Sequence, residues 1–152
     1  VCMKRVIIGN DHGAVALKFR IMNFLEKKGY EVVNMGVDTE DSVDYPDIAK
    51  AVCAEYKKGG FEFGILGCGT GIGVSISANK IEGIRCALPQ NTFAAEMAKA
   101  HNNANFLAFG GRIDYPEPVE AMISRFIDAT FLGGRHERRV EKIMALEKAA
   151  QG

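Results

Sequence analysis

Residues 63–80 have the sequence FGILGCGTGIGVSISANK, in which an apolar run leads into a glycine-rich loop and a helix-compatible stretch leads out. This order is typical of a strand, a tight turn and a helix start, with Cys68 at the bend. Glycine permits positive φ angles and lets a ligand approach the backbone. The first amides of the helix lack internal partners, so they can bind an anion and favour a thiolate. The segment therefore predicts an anion cradle beside a candidate base or nucleophile.

Apolar runs alternate with amphipathic stretches on both sides of this loop. We expect five strands, at residues 5–9, 31–35, 63–67, 85–88 and 106–109. We expect helices over residues 44–58, 74–80, 91–100, 116–129 and 135–150, and an earlier one that carries Leu17, Ile21, Phe24 and Leu25 with Lys18 between them and ends at Gly29. Strands that alternate with helices imply right-handed βαβ units, a parallel sheet and helices on both faces. The sequence therefore predicts one α/β domain over residues 1–152.

The composition is that of an ordinary globular protein. Apolar residues make up 47% and charged residues 25%, and 19 basic residues balance 19 acidic ones, so the net charge is zero. This balance removes the electrostatic argument for nucleic acid or an anionic membrane as the main partner. The sequence has neither an apolar run of the roughly 20 residues that a membrane span needs nor a signal-peptide pattern.

Cysteine and histidine spacing argues against a metal or cofactor. The four cysteines contain no Cys-x-x-Cys pair, and the three histidines contain no His-x-x-x-His pair. We therefore expect no metal site, no cofactor and no disulfide, and a cytoplasmic location. Cys53 and Cys86 suit buried structural positions, whereas Cys68, among glycines, has no core to fill. Val1 and Cys2 precede Met3, and we assign them no function.

Polar residues follow three of the predicted strands. Asp11 and His12 come after the first, the glycine loop comes after the third, and Arg112 comes after the fifth. Ligands of parallel α/β sheets bind beyond the carboxyl ends of the strands. The loop has neither the Gly-Lys-Ser/Thr ending of a phosphate loop nor Gly-x-Gly-x-x-Gly spacing, so nucleotide binding is a weak interpretation. Its four glycines exceed the needs of a turn, which favours an anion or oxyanion as the ligand.

Other candidate residues are ambiguous on spacing alone. His101 suits a helix C-terminus favoured by the helix dipole, and His136 suits an exposed side chain at a helix start. Arg135 and Arg139 lie four residues apart on one helix face, where two guanidinium groups can grip a phosphate. A solvated face is an equally good interpretation, because acidic residues such as Glu137 lie between them.

Eight short motifs together resemble one family over nearly the whole chain. They are Asn10-Asp11-His12-Gly13, Asp44-Tyr45-Pro46, the loop 68–73, Ser77-Ala78-Asn79-Lys80, Gly83-Ile84-Arg85, His101-Asn102, Gly110-Gly111-Arg112 and Gly133-Gly134-Arg135-His136. In this order they resemble the sugar-phosphate isomerases that include type B ribose-5-phosphate isomerase and the galactose-6-phosphate isomerase subunits. The resemblance implies a three-layer α/β/α, Rossmann-like sandwich with five parallel strands, and a dimer or tetramer whose sites are shared across the interface.

The resemblance also implies a reaction and roles for residues. The reaction is the interconversion of ribose 5-phosphate and ribulose 5-phosphate, a step of the pentose phosphate pathway, without a metal. Cys68 matches the general base, and His101 matches the residue that opens the sugar ring and reaches the other subunit's site. The implied substrate contacts are Asp11, His12, Gly69, Thr70, Gly71, Ile72, Gly73, Asn102, Arg112, Arg135 and Arg139.

Two alternatives stay open at this point. Asn10, Asn103 and residues 89–91 depart from the family pattern, so the substrate can instead be a six-carbon sugar phosphate, allose or galactose 6-phosphate. A non-catalytic module that binds sugar phosphates would need the anion cradle but would have no use for Cys68 or His101. Some relatives carry a glutamate base later in the loop, where this chain has Ile72 or Gly73.

Overall fold

The computed structural model describes residues 3–151 and the side chains of residues 3–149; Val1 and Cys2 lie outside the described residues. The strands are β1 (Arg5–Asn10), β2 (Glu31–Asn34), β3 (Phe63–Cys68), β4 (Cys86–Ala87) and β5 (Phe106–Gly110). The helices are α1 (Val15–Lys27), α2 (Tyr45–Lys57), α3 (Ile72–Asn79), α4 (Thr92–Ala100), α5 (Val119–Asp128) and α6 (Arg135–Gln151), and a 3₁₀ turn spans His12–Ala14.

The five strands form one parallel sheet in the order β2-β1-β3-β5-β4. The central strand β3 is buried along its whole length, as expected for a strand covered on both faces. The predicted strands and helices are all present, so the α/β fold class is confirmed.

Of the predicted boundaries that differ from the structure, two have clear local reasons. The edge strand β4 has two residues rather than four, because the Arg85 amide donates to the Asn105 side chain and Pro89 follows shortly after. Helix α5 begins at Val119 rather than at residue 116, with Pro118 as its N-cap residue. A residue that precedes proline is disfavoured in the helical region, so Glu117 cannot begin the helix.

Two apolar cores cover the two faces of the sheet. On one face α1, α4 and α5 pack through side chains such as Leu25, Met122 and Phe126. On the other face α2 and α3 pack through Val52 and Val74. Each fully buried large side chain contributes about 1.5–3 kcal/mol to folding. This arrangement confirms the three-layer sandwich, and it directs the loops after β1, β3 and β5 to one edge of the sheet.

Lys18 is the main exception to the predicted pattern of helix α1. The prediction placed it among the polar residues between the apolar positions, whereas its side chain is 1% exposed. Its ammonium group lies at the boundary of the core, where it donates hydrogen bonds to the loop after β2. No helix within residues 3–151 is both long and apolar enough to cross a membrane.

Candidate active site

Three loops meet at the carboxyl edge of the sheet in backbone-to-backbone contact. A β-carbon on Gly13 would lie 2.7 Å from the amide nitrogen of Gly69, and one on Gly111 would lie 2.2 Å from the carbonyl oxygen of Gly13. The Gly111 amide donates to the Cys68 carbonyl oxygen at 2.8 Å, and the Arg112 amide donates to the Gly69 carbonyl oxygen at 2.9 Å. Glycine is required at these positions because any side chain would separate the loops.

Cys68 ends β3 and lies at the centre of this junction. Its side chain is 5% exposed and belongs to the core cluster that contains Leu66 and Val74, so the expectation that it has no core to fill was wrong. The core continues to the end of the strand because α3 begins only four residues later, at Ile72. The Gly71 amide donates to Cys68 Sγ at 3.1 Å, and Gly71 adopts φ +80° to make the turn.

The other thiols differ from Cys68 in their surroundings. Cys53, Cys68 and Cys86 are free. Burial raises the pKa of the Cys53 thiol to about 11, and burial together with the neighbouring Cys53 raises the pKa of Cys86. Both thiols are therefore protonated at neutral pH, in agreement with their predicted structural roles.

The glycine loop offers polar groups beside Cys68. The Ile72 amide donates to Thr70 Oγ1 at 3.2 Å, which fixes the turn. Within the described residues, the amides of Gly69 and Thr70 donate to no acceptor of the chain. The Arg112 guanidinium lies against Gly69, with Nη1 3.2 Å from where a β-carbon would be. The loop thus combines two available N–H donors with a positive charge.

Asp11 and His12 approach the same junction from β1. Asp11 is 5% exposed, and its Oδ1 accepts the Gly13 amide at 2.8 Å, which caps the 3₁₀ turn. His12 Nδ1 accepts the Val43 amide at 3.3 Å, so a neutral His12 ring carries its proton on Nε2. A cavity of about 330 Å³ opens here, and it is lined by His12, Glu40, Arg112 and residues 13–17.

Two tyrosines belong to this edge although the sequence did not single them out as site residues. The Tyr45 ring lies where a side chain on Gly73 would be, 2.5 Å from the β-carbon position. Tyr115 Oη accepts the Gly110 amide at 2.8 Å. Burial, with a smaller effect from Cys68, raises the pKa of Tyr115. An aromatic residue in the loop after β5 was the only sequence signal for Tyr115.

The remaining predicted site residues lie at the opposite edge of the sheet. Helix α4 runs antiparallel to the strands and ends at Ala100, and His101 and Asn102 lie in the short turn that leads into β5 at Phe106. The five residues of β5 span about 16 Å at roughly 3.3 Å per residue, which separates this turn from the edge that carries Cys68. One chain therefore does not bring His101 and Cys68 together.

Arg135 and Arg139 belong to this second group. The Leu132 amide donates to the Ala100 carbonyl oxygen at 3.0 Å, which holds the start of α6 beside His101. Both arginines are exposed and share one face of α6. Their side chains are accessible at the amino edge of the sheet.

His136 does not match its predicted exposed position. Its ring is 8% exposed and stacks on His101, with ring centroids 4.0 Å apart and an interplanar angle of 10°. Burial lowers the pKa of His136, and His101, Arg135 and Arg139 lower it further. The stack fixes the plane of the His101 ring.

A larger cavity, of about 620 Å³, also lies away from Cys68. It runs between α6 and the edge strand β4, and its lining includes Asn79, Arg85, Cys86 and Leu146. It contains none of the groups at the three-loop junction, so size alone does not identify the reactive site. Within residues 3–151, no cluster of three or more His, Cys, Asp or Glu side chains is arranged to hold a metal ion.

Comparison with known proteins identifies the family of this chain. The profile of the family described as Ribose/Galactose Isomerase matches residues 6–143. The chain belongs to this family. Ribose-5-phosphate isomerase B of Escherichia coli is 38% identical over 146 residues, which cover 96% of this chain and 98% of that protein. D-erythrulose-4-phosphate isomerase of Pectobacterium atrosepticum is 41% identical over 142 residues, 93% of each chain.

A solved structure of a similar protein has the same fold. Ribose-5-Phosphate Isomerase B of Clostridium thermocellum superposes with a TM-score of 0.92 at 44% identity, covering 96% of this chain and 99% of that one. These matches agree with the resemblance that the eight motifs indicated. The chain is an enzyme of the aldose–ketose isomerase class.

Proposed function

We propose that this isomerase interconverts ribose 5-phosphate and ribulose 5-phosphate through an enediolate, with Cys68 as the general base. The observation that carries the proposal is the position of Cys68 Sγ, which ends the central strand among three converging loops and accepts the Gly71 amide. Relatives named as ribose-5-phosphate isomerase B at 38% and 44% identity support the choice of substrate.

The proton transfer follows from this placement. The Cys68 thiolate takes the proton from C2 of the open-chain aldose, and the C–H electron pair becomes the C1–C2 double bond of the enediolate. The thiol then returns the proton to C1, a proton moves from the C2 oxygen to the C1 oxygen, and the ketose forms. Positioned general bases contribute about 10²–10⁴-fold to such steps.

The negative charge that develops on the enediolate oxygens has to be stabilised by positive groups that are in position before the reaction. The available amides of Gly69 and Thr70 and the guanidinium of Arg112 are such groups at the glycine loop. Donors fixed before the reaction need no reorganisation as charge develops, which makes them effective in a site that excludes water. Asp11 and His12 would bind the sugar hydroxyl groups from the adjacent loop.

Ring opening and phosphate binding require groups that the same chain holds at its other edge. We propose a homo-oligomer, dimer or tetramer, in which His101 and Asn102 of one subunit complete the site around Cys68 of another. Arg135 and Arg139, on the same side of the subunit, would bind the phosphate by forked hydrogen bonds. Binding energy from the phosphate, remote from C1 and C2, then positions the reacting carbons.

Exposed apolar side chains support an interface near the glycine loop. Ile72 and Ile76 lie one turn apart on α3 and are 50% and 56% exposed, and Phe93 at the start of α4 is 65% exposed. At the opposite edge, Leu132 beside the His101 turn is also 65% exposed, so the part of the subunit that would meet its partner's glycine loop carries an exposed apolar side chain as well. Neighbouring exposed apolar side chains, such as Ile72 and Ile76, are typical of protein interfaces. The cytoplasmic location stays a prediction from cysteine usage.

Replacing the proposed base tests the reaction. We expect Cys68→Ala to lower kcat for ribose 5-phosphate by about 10²–10⁴-fold, because no other group would take the C2 proton. The matched control is Cys86→Ala, which removes a thiol from the opposite edge of the sheet and should keep turnover near the wild-type value. Wild-type turnover in Cys68→Ala would overturn the base assignment and leave the reaction class intact.

A second candidate is isomerisation of another sugar phosphate, and one relative gives a specific reason to test it. That relative, 41% identical, is named D-erythrulose-4-phosphate isomerase, so the family accommodates more than one chain length. We expect kcat/KM for ribose 5-phosphate to exceed those for erythrulose 4-phosphate, allose 6-phosphate and galactose 6-phosphate. A higher value for any of these three would change the substrate and leave the reaction class intact.

A further inference from the structure

The proposed mechanism gives no role to Lys18, the one lysine in the core of the described residues. Its side chain is 1% exposed, and it lies on α1, the helix that follows the turn with Asp11 and His12. A buried ammonium group costs several kcal/mol unless it is paired and hydrogen-bonded. The partners of Lys18 therefore decide what this buried charge does.

Lys18 holds the start of the loop that follows β2, residues 36–43, hereafter the 36–43 loop. Its Nζ donates to the Val37 carbonyl oxygen at 2.6 Å and forms a hydrogen-bonded ion pair with the Asp38 carboxylate. Asn34 Nδ2 donates to the same Asp38 oxygen at 3.0 Å. The hydrogen bonds from Lys18 and Asn34 hold the pKa of Asp38 below its usual value, so this carboxylate stays ionised at neutral pH.

Asn10, at the end of β1, forms hydrogen bonds to the same part of the 36–43 loop. Its Nδ2 donates to the Val37 carbonyl oxygen at 3.0 Å, and the Val37 amide donates to the Asn10 carbonyl oxygen at 3.2 Å. Gly36 packs so closely that a β-carbon there would lie 1.8 Å from Asn10 Oδ1. The Val37 carbonyl oxygen thus accepts both Lys18 and Asn10, and the loop is fixed to the strand that leads into the site.

The other end of the 36–43 loop contacts the site itself. The Val43 amide donates to His12 Nδ1 at 3.3 Å, and Glu40 lines the cavity next to His12 and Arg112. This hydrogen bond sets which nitrogen of the neutral His12 ring carries the proton, and it turns the ring within the cavity. Any loosening of the loop therefore changes both the tautomer and the direction of His12.

We propose that Lys18 is a positioning residue for the isomerase: it clamps the 36–43 loop against β1, and through Val43 it holds His12 in the Nε2–H tautomer that faces the sugar phosphate. The inference rests on the proposed function for its effect on catalysis, but the clamp itself is independent of the substrate. Lys18 acts through His12 and touches no reacting atom.

Four variants test the clamp by the ¹⁵N chemical shifts of the His12 ring, which report its tautomer directly. Lys18→Met keeps the apolar stem and removes the charge. The substitution leaves no unpaired carboxylate in the core, because the Asp38 side chain is 61% exposed. Val43→Pro removes the amide that binds Nδ1, whereas Val43→Ala keeps it. Lys27→Met is the matched control for Lys18, on the same helix but exposed.

We expect Lys18→Met and Val43→Pro to shift the His12 nitrogens from the Nε2–H pattern towards a mixture of tautomers, and Val43→Ala and Lys27→Met to keep the wild-type pattern. We also expect Lys18→Met to lower kcat/KM for ribose 5-phosphate by about 10- to 100-fold, since a small misplacement near reacting groups has this effect. Lys27→Met should leave kcat/KM unchanged.

Unchanged His12 shifts in a folded Lys18→Met protein would overturn the proposal. If Lys18→Met does not fold, Asp38→Asn takes its place, since it weakens the same ion pair from the solvent side; unchanged shifts in both Asp38→Asn and Val43→Pro would then reject the clamp. A wild-type enzyme that fails to turn over ribose 5-phosphate contradicts the proposed function alone, because the tautomer measurement needs no substrate.

Discussion

At the scale of single residues, the surroundings of a side chain decide its chemistry more than its type does. Cys53 and Cys68 are both buried thiols, but Cys53 lies among apolar side chains with a raised pKa, whereas Cys68 Sγ accepts the Gly71 amide. The glycines around Cys68 predicted this difference. Its burial was not predictable, because it depends on where α3 packs after the turn. The burial of Lys18 was equally unpredictable, because its partner Asp38 lies 20 residues away in a polar loop.

We expect His136 to make the stability of the protein depend on pH. Its pKa in the folded protein is lowered by burial and then by His101, Arg135 and Arg139, so the unfolded chain, with a histidine pKa of about 6.5, binds the proton more tightly. The stabilising contribution is therefore complete above pH of about 6.5 and is lost as the pH falls through the folded pKa. We expect the free energy of unfolding, measured by urea titration, to be lower at pH 5.5 than at pH 7.5.

A non-titrating side chain at position 136 isolates this effect. His136→Gln should reduce the difference between the two pH values, because glutamine binds no proton in either state. His101 loses its stacking partner in this variant, so His12, which lies outside the stack, is the histidine that acts as the internal control. A difference as large in His136→Gln as in the wild type would show that other groups cause the pH dependence.

At the scale of elements, local sequence signals place the strands and helices well, and contacts from distant residues set their ends. Strand β1 was predicted to within one residue because its apolar run is unambiguous. Strand β4 was shorter than predicted because the Arg85 amide donates to Asn105, 20 residues further along. Such partners cannot be inferred from the strand's own residues.

Arg85 also fixes the turn that carries His101, and its replacement gives a test at this scale. Its guanidinium donates to the Asn103 carbonyl oxygen at 2.7 Å and 3.1 Å and to the Asn102 carbonyl oxygen at 3.2 Å, and Asn103 has a φ of +45°. We expect Arg85→Met to lower the free energy of unfolding by about 1–3 kcal/mol, the cost of leaving such acceptors unpaired. Urea titration measures the change.

The control for this prediction is an arginine without these contacts. Arg138→Met, at an exposed position of α6, should change the free energy of unfolding by no more than about 0.5 kcal/mol. Equal effects of the two substitutions would mean that Arg85 does not stabilise the turn through its hydrogen bonds.

At the scale of the whole molecule, the parallel sheet divides the proposed site residues between its two edges. The sequence predicted the carboxyl-edge group, because residues that follow strands β1, β3 and β5 must meet there. The amino-edge group consists of His101, Asn102, Arg135 and Arg139. The sequence of a single chain gives no reason to place these residues beside the carboxyl-edge group. Only the family resemblance suggested that a second subunit joins the two groups.

Mixing two inactive variants tests this division. In Cys68→Ala every site lacks the base, and in His101→Ala every site lacks the ring-opening group, so each homo-oligomer should have little activity. If sites are shared, a hetero-dimer has one site with Cys68 from one subunit and His101 from the other. Unfolding and refolding an equimolar mixture should then restore about a quarter of the wild-type activity, since half of randomly formed dimers are mixed and each has one intact site of two.

The outcome separates a shared site from one contained in a single chain. Without sharing, every subunit in the mixture lacks one of the two groups, so refolding together restores nothing, whatever the oligomeric state. A double variant, Cys68→Ala with His101→Ala, refolded with wild-type chains provides the reference, because its mixed dimers contain two sites that each lack one group. Recovery above the sum of the separate variants therefore requires that His101 acts across the interface, which joins the two edges of the sheet into one active site.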